Sequence, residues 1–213
     1  QAIMWGNMFV IDPLFTLPML FGFVWLAIRP VGKHSGKVMY GAIGLSVLYF
    51  AWSLAAQMWV MQKVDKQLAD LGLQDTPRLV TATPFNTLVW QVLVQVPDGV
   101  LSGSHSLSQD EADAPIRLQH IGSDTAALAK VQDNVALQRL RRFNQGYFVA
   151  REVDGKLIIS DVRMGREPHY TFNFAIAKWQ NGQWQALTPP EQIQDRPDLK
   201  QEWAYLQKRL WGG

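Results

Sequence analysis

The first side chain placed to do chemistry is Asp12, which stands alone among apolar neighbours in the run Met8–Ile28. It directly precedes Pro13. One reading makes it the cap of a helix that starts at Pro13, because a short carboxylate accepts from free first-turn N–H groups and proline suits the first helical position. The other makes it a member of a polar site, acting in catalysis or helping to hold a metal ion. A second candidate is the pair Asp161 and Arg163 in Ser160-Asp161-Val162-Arg163-Met164-Gly165. Strand alternation aims residues two apart to one side, so the two bind either a polar head group or each other. Arg139, Arg141, Arg142 and Arg151 form a second basic group. The first three suit a helix C-terminus, whose carbonyls attract cations, or lipid phosphate.

Other chemistry is poorly provided for. His34, His105, His120 and His169 are scattered with no HxH, HxxH or HExxH spacing, and a zinc site needs several ligands converging on one ion. No serine-elbow, phosphate-loop or dinucleotide fingerprint is present in the sequence. With no cysteine, disulfides, thiolate metal sites and thiol nucleophiles are excluded.

The elements that must position these groups divide sharply by charge. Residues 1–61 hold only Asp12, Arg29, Lys33 and Lys37 as charged groups, so the net charge of +2 arises there and the remainder is balanced. Nucleic-acid binding needs a concentrated basic surface, and this balance argues against it. Met8–Ile28 and Val38–Met61 are each about as long as the roughly 20 apolar residues that cross a ~30 Å hydrocarbon layer. We therefore expect a transmembrane hairpin in residues 1–62, with spans at about 8–28 and 38–61. Trp5 and Trp59 stand at one end of the paired spans, Trp25 and Tyr40 at the other, the two levels where amphipathic rings settle. Gly41, Gly44, Ala51 and Ala55 suggest a face for close helix packing. The basic loop 29–37 places that loop in the cytoplasm and the downstream domain on the far side. A start at Gln1, followed at once by an apolar run, is expected of a piece of a longer membrane protein.

Residues 63–82 read as a helical extension and linker, broken at Gly72 and Pro77. Residues 83–213 read as an extramembrane α+β domain. Its tight-turn pairs Asp98-Gly99, Asp154-Gly155 and Asn181-Gly182 each join strand-like runs. A helical stretch from Ser123 to Asn144, interrupted near Asp133-Asn134, covers the sheet, and a last helix spans about 197–210. The acidic stretch Asp110, Glu111 and Asp113 reads as a solvated loop. The expected fold class is thus a membrane α-helical hairpin of two transmembrane helices followed by an α+β domain with a mainly antiparallel sheet.

Several phrases resemble those of the YdjM-type inner-membrane proteins, a family named as metal-dependent hydrolases. They are Phe9-Val-Ile-Asp12-Pro13-Leu-Phe-Thr16-Leu-Pro18, Thr83-Pro84-Phe85-Asn86-Thr87-Leu88-Val89-Trp90, Phe143-Asn-Gln-Gly146-Tyr-Phe148, the Ser160–Gly165 phrase and Tyr170-Thr-Phe172. The resemblance runs through most of the chain. It implies a multi-pass protein of the bacterial inner membrane, a divalent metal ion with zinc among the candidates, and hydrolysis of an unidentified substrate. It also implies that the metal-binding His and Asp residues lie mainly in an amino-terminal membrane region preceding Gln1. Asp12 is then the one contributor in this chain, as ligand or as a carboxylate behind the ligands. A membrane-tethered binding or scaffold module without catalysis is the alternative.

Overall fold

The computed structural model of the protein describes residues 6, 8, 12–29, 35–194 and 199–212. Two helices open it: α1 (Pro13–Ile28) and α2 (Ser35–Asp70). They pack antiparallel, with Gly22 of α1 so close to Ala42 of α2 that an added Cβ would lie 3.0 Å from the alanine methyl. At about 1.5 Å per residue, the 36 residues of α2 run about 54 Å, more than twice the length of α1. The buried positions of α2 are Ala42, Ser46, Ser53, Ala56, Val60, Val64 and Leu68. Their spacings of three, four and seven residues place them along one helix face. The upper part of that face meets α1. The lower part, from Ala56 to Leu68, enters the core of the β-domain.

That domain contains two four-stranded antiparallel sheets. The first runs β1 (Arg78–Ala82), β2 (Val89–Val96), β3 (Gly99–Ser106), β4 (Gln119–Gly122) in spatial order. Alternation along β2 builds two cores from one strand. Trp90, Val92 and Val94 pack with Val80 and Ala82 against α2. Leu93, with Val100 and Ile121, faces the other way and meets Tyr147, Val149, Val162 and Tyr170. Two short helices follow, α3 (Thr125–Lys130) and α4 (Val135–Phe143). Asp124 and Asn134 cap them by accepting from first-turn N–H groups. The helices cover the second sheet, which consists of β5 (Phe148–Val153), β6 (Lys156–Asp161), β9 (Asn173–Gln180) and β10 (Gln183–Ile193) in the order β10-β9-β6-β5. A two-stranded ribbon, β7 (Gly165–Arg166) with β8 (His169–Tyr170), interrupts it, and α5 (Leu199–Trp211) ends the chain.

The mainly antiparallel α+β architecture is therefore present. All three tight-turn pairs join neighbouring strands, and α3 and α4 part near Asp133-Asn134. Several expectations need correction. The first span was drawn from residue 8, but α1 begins at Pro13 and holds 16 residues, about 24 Å of rise. Among the described residues one helix, Gly36–Asp70, is long and apolar enough to cross a membrane, and α1 is a shorter apolar helix. The second span was drawn to Met61 as surrounded by lipid, yet Ala56 and Val60 lie under the first sheet. The helical extension expected from Lys63 is present as the last turns of α2, which ends at Asp70, but the linker drawn on to residue 82 contains all of β1. Gly41 and Gly44 were expected at the helix contact; a Cβ on either would meet nothing within 4 Å. Ala42 and Ser46 hold that contact instead. Trp5 and the loop residues 30–34 lie outside the described residues.

Candidate functional site

Asp12 is 1 % exposed. Its Oδ1 accepts from the Leu14 N–H at 2.9 Å, which makes it the N-cap of α1. Its Oδ2 accepts from the Tyr49 hydroxyl of α2 at 2.8 Å. The Tyr49 oxygen in turn accepts from the hydroxyl of Thr87, 3.1 Å away in the β1–β2 connection. One carboxylate thus ties the start of α1 to the middle of α2 and to the first sheet. The connection is itself locked. The Asn86 side chain donates to Thr83 Oγ1 and the Pro84 carbonyl, and accepts from the N–H groups of Leu88 and Val89. Phe85, held at φ 65°, is turned outward, 49 % exposed. Nearby, the Ser46 hydroxyl donates to the Phe15 carbonyl at 3.1 Å, and the Ala82 N–H donates to the Gly6 carbonyl at 2.9 Å.

The cap and site readings of Asp12 thus coexist in a polar joint. Sequence reasoning singled out Asp12 but missed Tyr49 and Thr87. A signal was present, since Ser46, Tyr49 and Ser53 recur at spacings of three and four within an otherwise apolar run. Both carboxylate oxygens are engaged, and among the described residues no group of three or more His, Asp or Glu side chains converges. His34 lies outside the described residues.

Asp161 and Arg163 meet, although not by strand alternation, because β6 ends at Asp161. A local turn brings them together, with the Arg163 N–H donating to Asp161 Oδ1 at 3.0 Å. The guanidinium then closes a fork on the carboxylate, Nε to Oδ1 at 2.9 Å and Nη2 to Oδ2 at 2.6 Å. Both side chains are nearly buried, and the guanidinium stacks 5.2 Å from the Phe143 ring centre. A small apolar dimple beside them is lined by Leu140, Phe143, Phe172 and Phe174. This is the mutual pairing of the two alternatives. Arg141 lies 5.8 Å from the Phe148 ring centre, and Arg151 pairs with Glu167 at 2.7 Å.

A third cluster was not anticipated. Asp110, expected in solvent, receives a two-pronged bond from Arg209 of α5, at 2.8 and 2.6 Å. It also accepts from the Ser106 N–H at 2.9 Å and lies 3.3 Å from His105 Nδ1. Burial opposes charge on Asp110, but Arg209 and the Ser106 N–H outweigh it and hold the carboxyl below its usual range. Burial, assisted by the Lys63 charge, pushes His105 below the ordinary histidine value. The Ser106 hydroxyl donates to the Arg209 carbonyl at 2.6 Å. It is therefore a docking bond for α5 rather than a nucleophile aimed at His105. The signal for this cluster is a contact between residues 99 positions apart, which no local pattern carries. Comparison with family models, curated proteins and solved structures finds no match.

Proposed function

We propose that this chain is a membrane-anchored module, with α1 and the first half of α2 standing in lipid as a transmembrane hairpin and the paired sheets on the aqueous side. The observation that carries this is an inside-out distribution of polarity. The hairpin keeps Asp12 and Ser46 at its inner contacts, while Leu17, Leu20, Phe23, Ile43, Val47 and Leu48 are 41–68 % exposed along both helices. Water opposes so large a contiguous apolar surface, whereas lipid accepts it and requires polar groups to find partners inside. The basic residues Arg29, Lys33 and Lys37 favour a cytoplasmic loop, hence a periplasmic domain in a bacterial inner membrane.

Within a hydrolase of the type its motifs resemble, the metal-holding residues would come from an amino-terminal membrane region. This module would anchor and cover that site, with Asp12 as its nearest carboxylate. The closed bonding of Asp12 favours a second reading, a tether or scaffold without catalysis. Carbonate extraction of membranes tests the anchor, and retention in the pellet is expected. Release into the supernatant would refute it. Metal content of the full-length protein, wild type against Asp12→Asn, separates the two readings. A loss of bound metal favours the hydrolase, and an unchanged content favours the tether.

A further inference from the structure

The hairpin is too short for the layer it would cross. Helix α1 offers about 24 Å of rise against a hydrocarbon core of ~30 Å. The Tyr49–Thr87 bond fixes the β1–β2 connection about 21 Å along α2 from Ser35, at 1.5 Å per residue. A bilayer meets such a shortfall by thinning, or the flanking groups enter its polar layer. The outer face of α2 stays apolar and exposed well past that level, so the connection lies within the depth of the layer. Met58 and Trp59, about two and a half turns past Tyr49 at 3.6 residues per turn, remain 59 % and 47 % exposed.

Two exposed aromatic side chains lie at the same end of the first sheet. Phe85 projects from the connection bonded to Tyr49. It occupies the left-handed region that costs a non-glycine residue of order 1 kcal/mol or more, and Asn86 locks that turn. Trp211, 75 % exposed, ends α5. The hydroxyl of Ser108 and the side-chain amide of Gln109 both donate to the Leu210 carbonyl, at 2.9 and 3.1 Å. Ser108 follows Ser106, which pairs with Val89 at the start of β2, and the Leu107 N–H donates to the Leu88 carbonyl. Both aromatics therefore flank the strand ends nearest the hairpin.

We infer that this rim, carrying Phe85 and Trp211, is a second membrane contact seated in the lipid head-group layer. Aromatic rings settle at that level because one part is apolar and the surroundings are wet. The inference rests on the hairpin reading above. Its consequence is that the domain does not swing on a stalk but is held against the lipid surface at three places: α2, the β1–β2 connection and the end of α5.

The absence of cysteine allows single-site labelling of the full chain. Leu48→Cys, Phe85→Cys, Trp211→Cys, Lys208→Cys and Asp75→Cys, each with a bimane label, are reconstituted in phosphatidylethanolamine–phosphatidylglycerol vesicles. Nitroxide lipids labelled on the head group or the acyl chain serve as quenchers. Lys208 repeats the α5 measurement with both aromatics in place, and Asp75 lies past the far end of α2. Several-fold stronger head-group quenching at 85, 208 and 211 than at 75, with acyl-chain quenching at 48, is expected. Quenching at 48 with 85, 208 and 211 no different from 75 overturns the rim contact and leaves the hairpin standing. No quenching at 48 overturns both.

Discussion

Replacing Tyr49 by Phe removes one oxygen and leaves the aromatic ring. Two bonds go with it: the donation to Asp12 Oδ2 at 2.8 Å and the acceptance from Thr87 at 3.1 Å. Asp12 is 1 % exposed, so water does not readily replace the lost donor. Hydrogen bonds to charged groups contribute roughly 1.5–3 kcal/mol, and a buried polar atom left without a partner costs about the same. The expected loss is about 2–3 kcal/mol. At about 2–4 °C per kcal/mol for a chain of this size, the melting temperature falls by roughly 4–12 °C. The assay is thermal unfolding of the detergent-solubilised protein, followed by circular dichroism. A cycle with Asp12→Asn isolates the coupling, since distant sites add while bonded ones do not. A Tyr49→Phe variant within about 0.5 kcal/mol of wild type would refute the claim that this joint holds the hairpin to the domain.

Leu68 is fully buried in the core shared by α2 and the first sheet. Leu68→Ala should cost about 2–5 kcal/mol in urea unfolding, whereas an α2 end that is only a stalk would lose almost nothing. In Gly99→Ala an added Cβ would meet the Ile121 carbonyl oxygen at 2.1 Å, at a φ of 154° that side chains disfavour. A loss of about 2 kcal/mol or more is expected by the same measurement. His105 has its protonation suppressed by burial and by Lys63, with Arg209 adding to this and Asp110 opposing it. The unfolded chain therefore binds the proton first. The contribution of His105 to stability is complete above the ordinary histidine pKa of about 6.5 and is lost as pH falls through the lowered folded value. His105→Gln should flatten the decline in melting temperature between about pH 7 and 5; an unchanged slope would contradict this.

Local chemistry made much of the fold legible. Asp98-Gly99, Asp154-Gly155 and Asn181-Gly182 mark their hairpins because glycine and short polar residues tolerate positive φ. The break between α3 and α4 falls at Asn134, whose side chain caps the second helix. The strand β1 was hidden, since Arg78–Ala82 is short and mixed, and its pairing with β2 is decided by long-range contact. The depth of the hairpin was hidden too. Apolar content cannot tell a lipid-facing surface from one under a sheet, so Ala56 and Val60 read as span although they are core. At the site, Asp12 stood out as a lone charge. Tyr49 and Thr87 did not, because hydroxyls 38 residues apart announce no pairing. The closure of Asp161 on Arg163 came from a turn, which alternation along a strand does not describe.

Proteoliposomes digested with a nonspecific protease test the placement of the hairpin most directly. Mass spectrometry should recover a protected fragment that contains Pro13–Ile28 and the first half of α2 together, while the tip of the β9–β10 hairpin at Asn181 is cut early. Cleavage within Leu17–Phe23 or Ile43–Leu48 as rapid as at Asn181 would contradict the account.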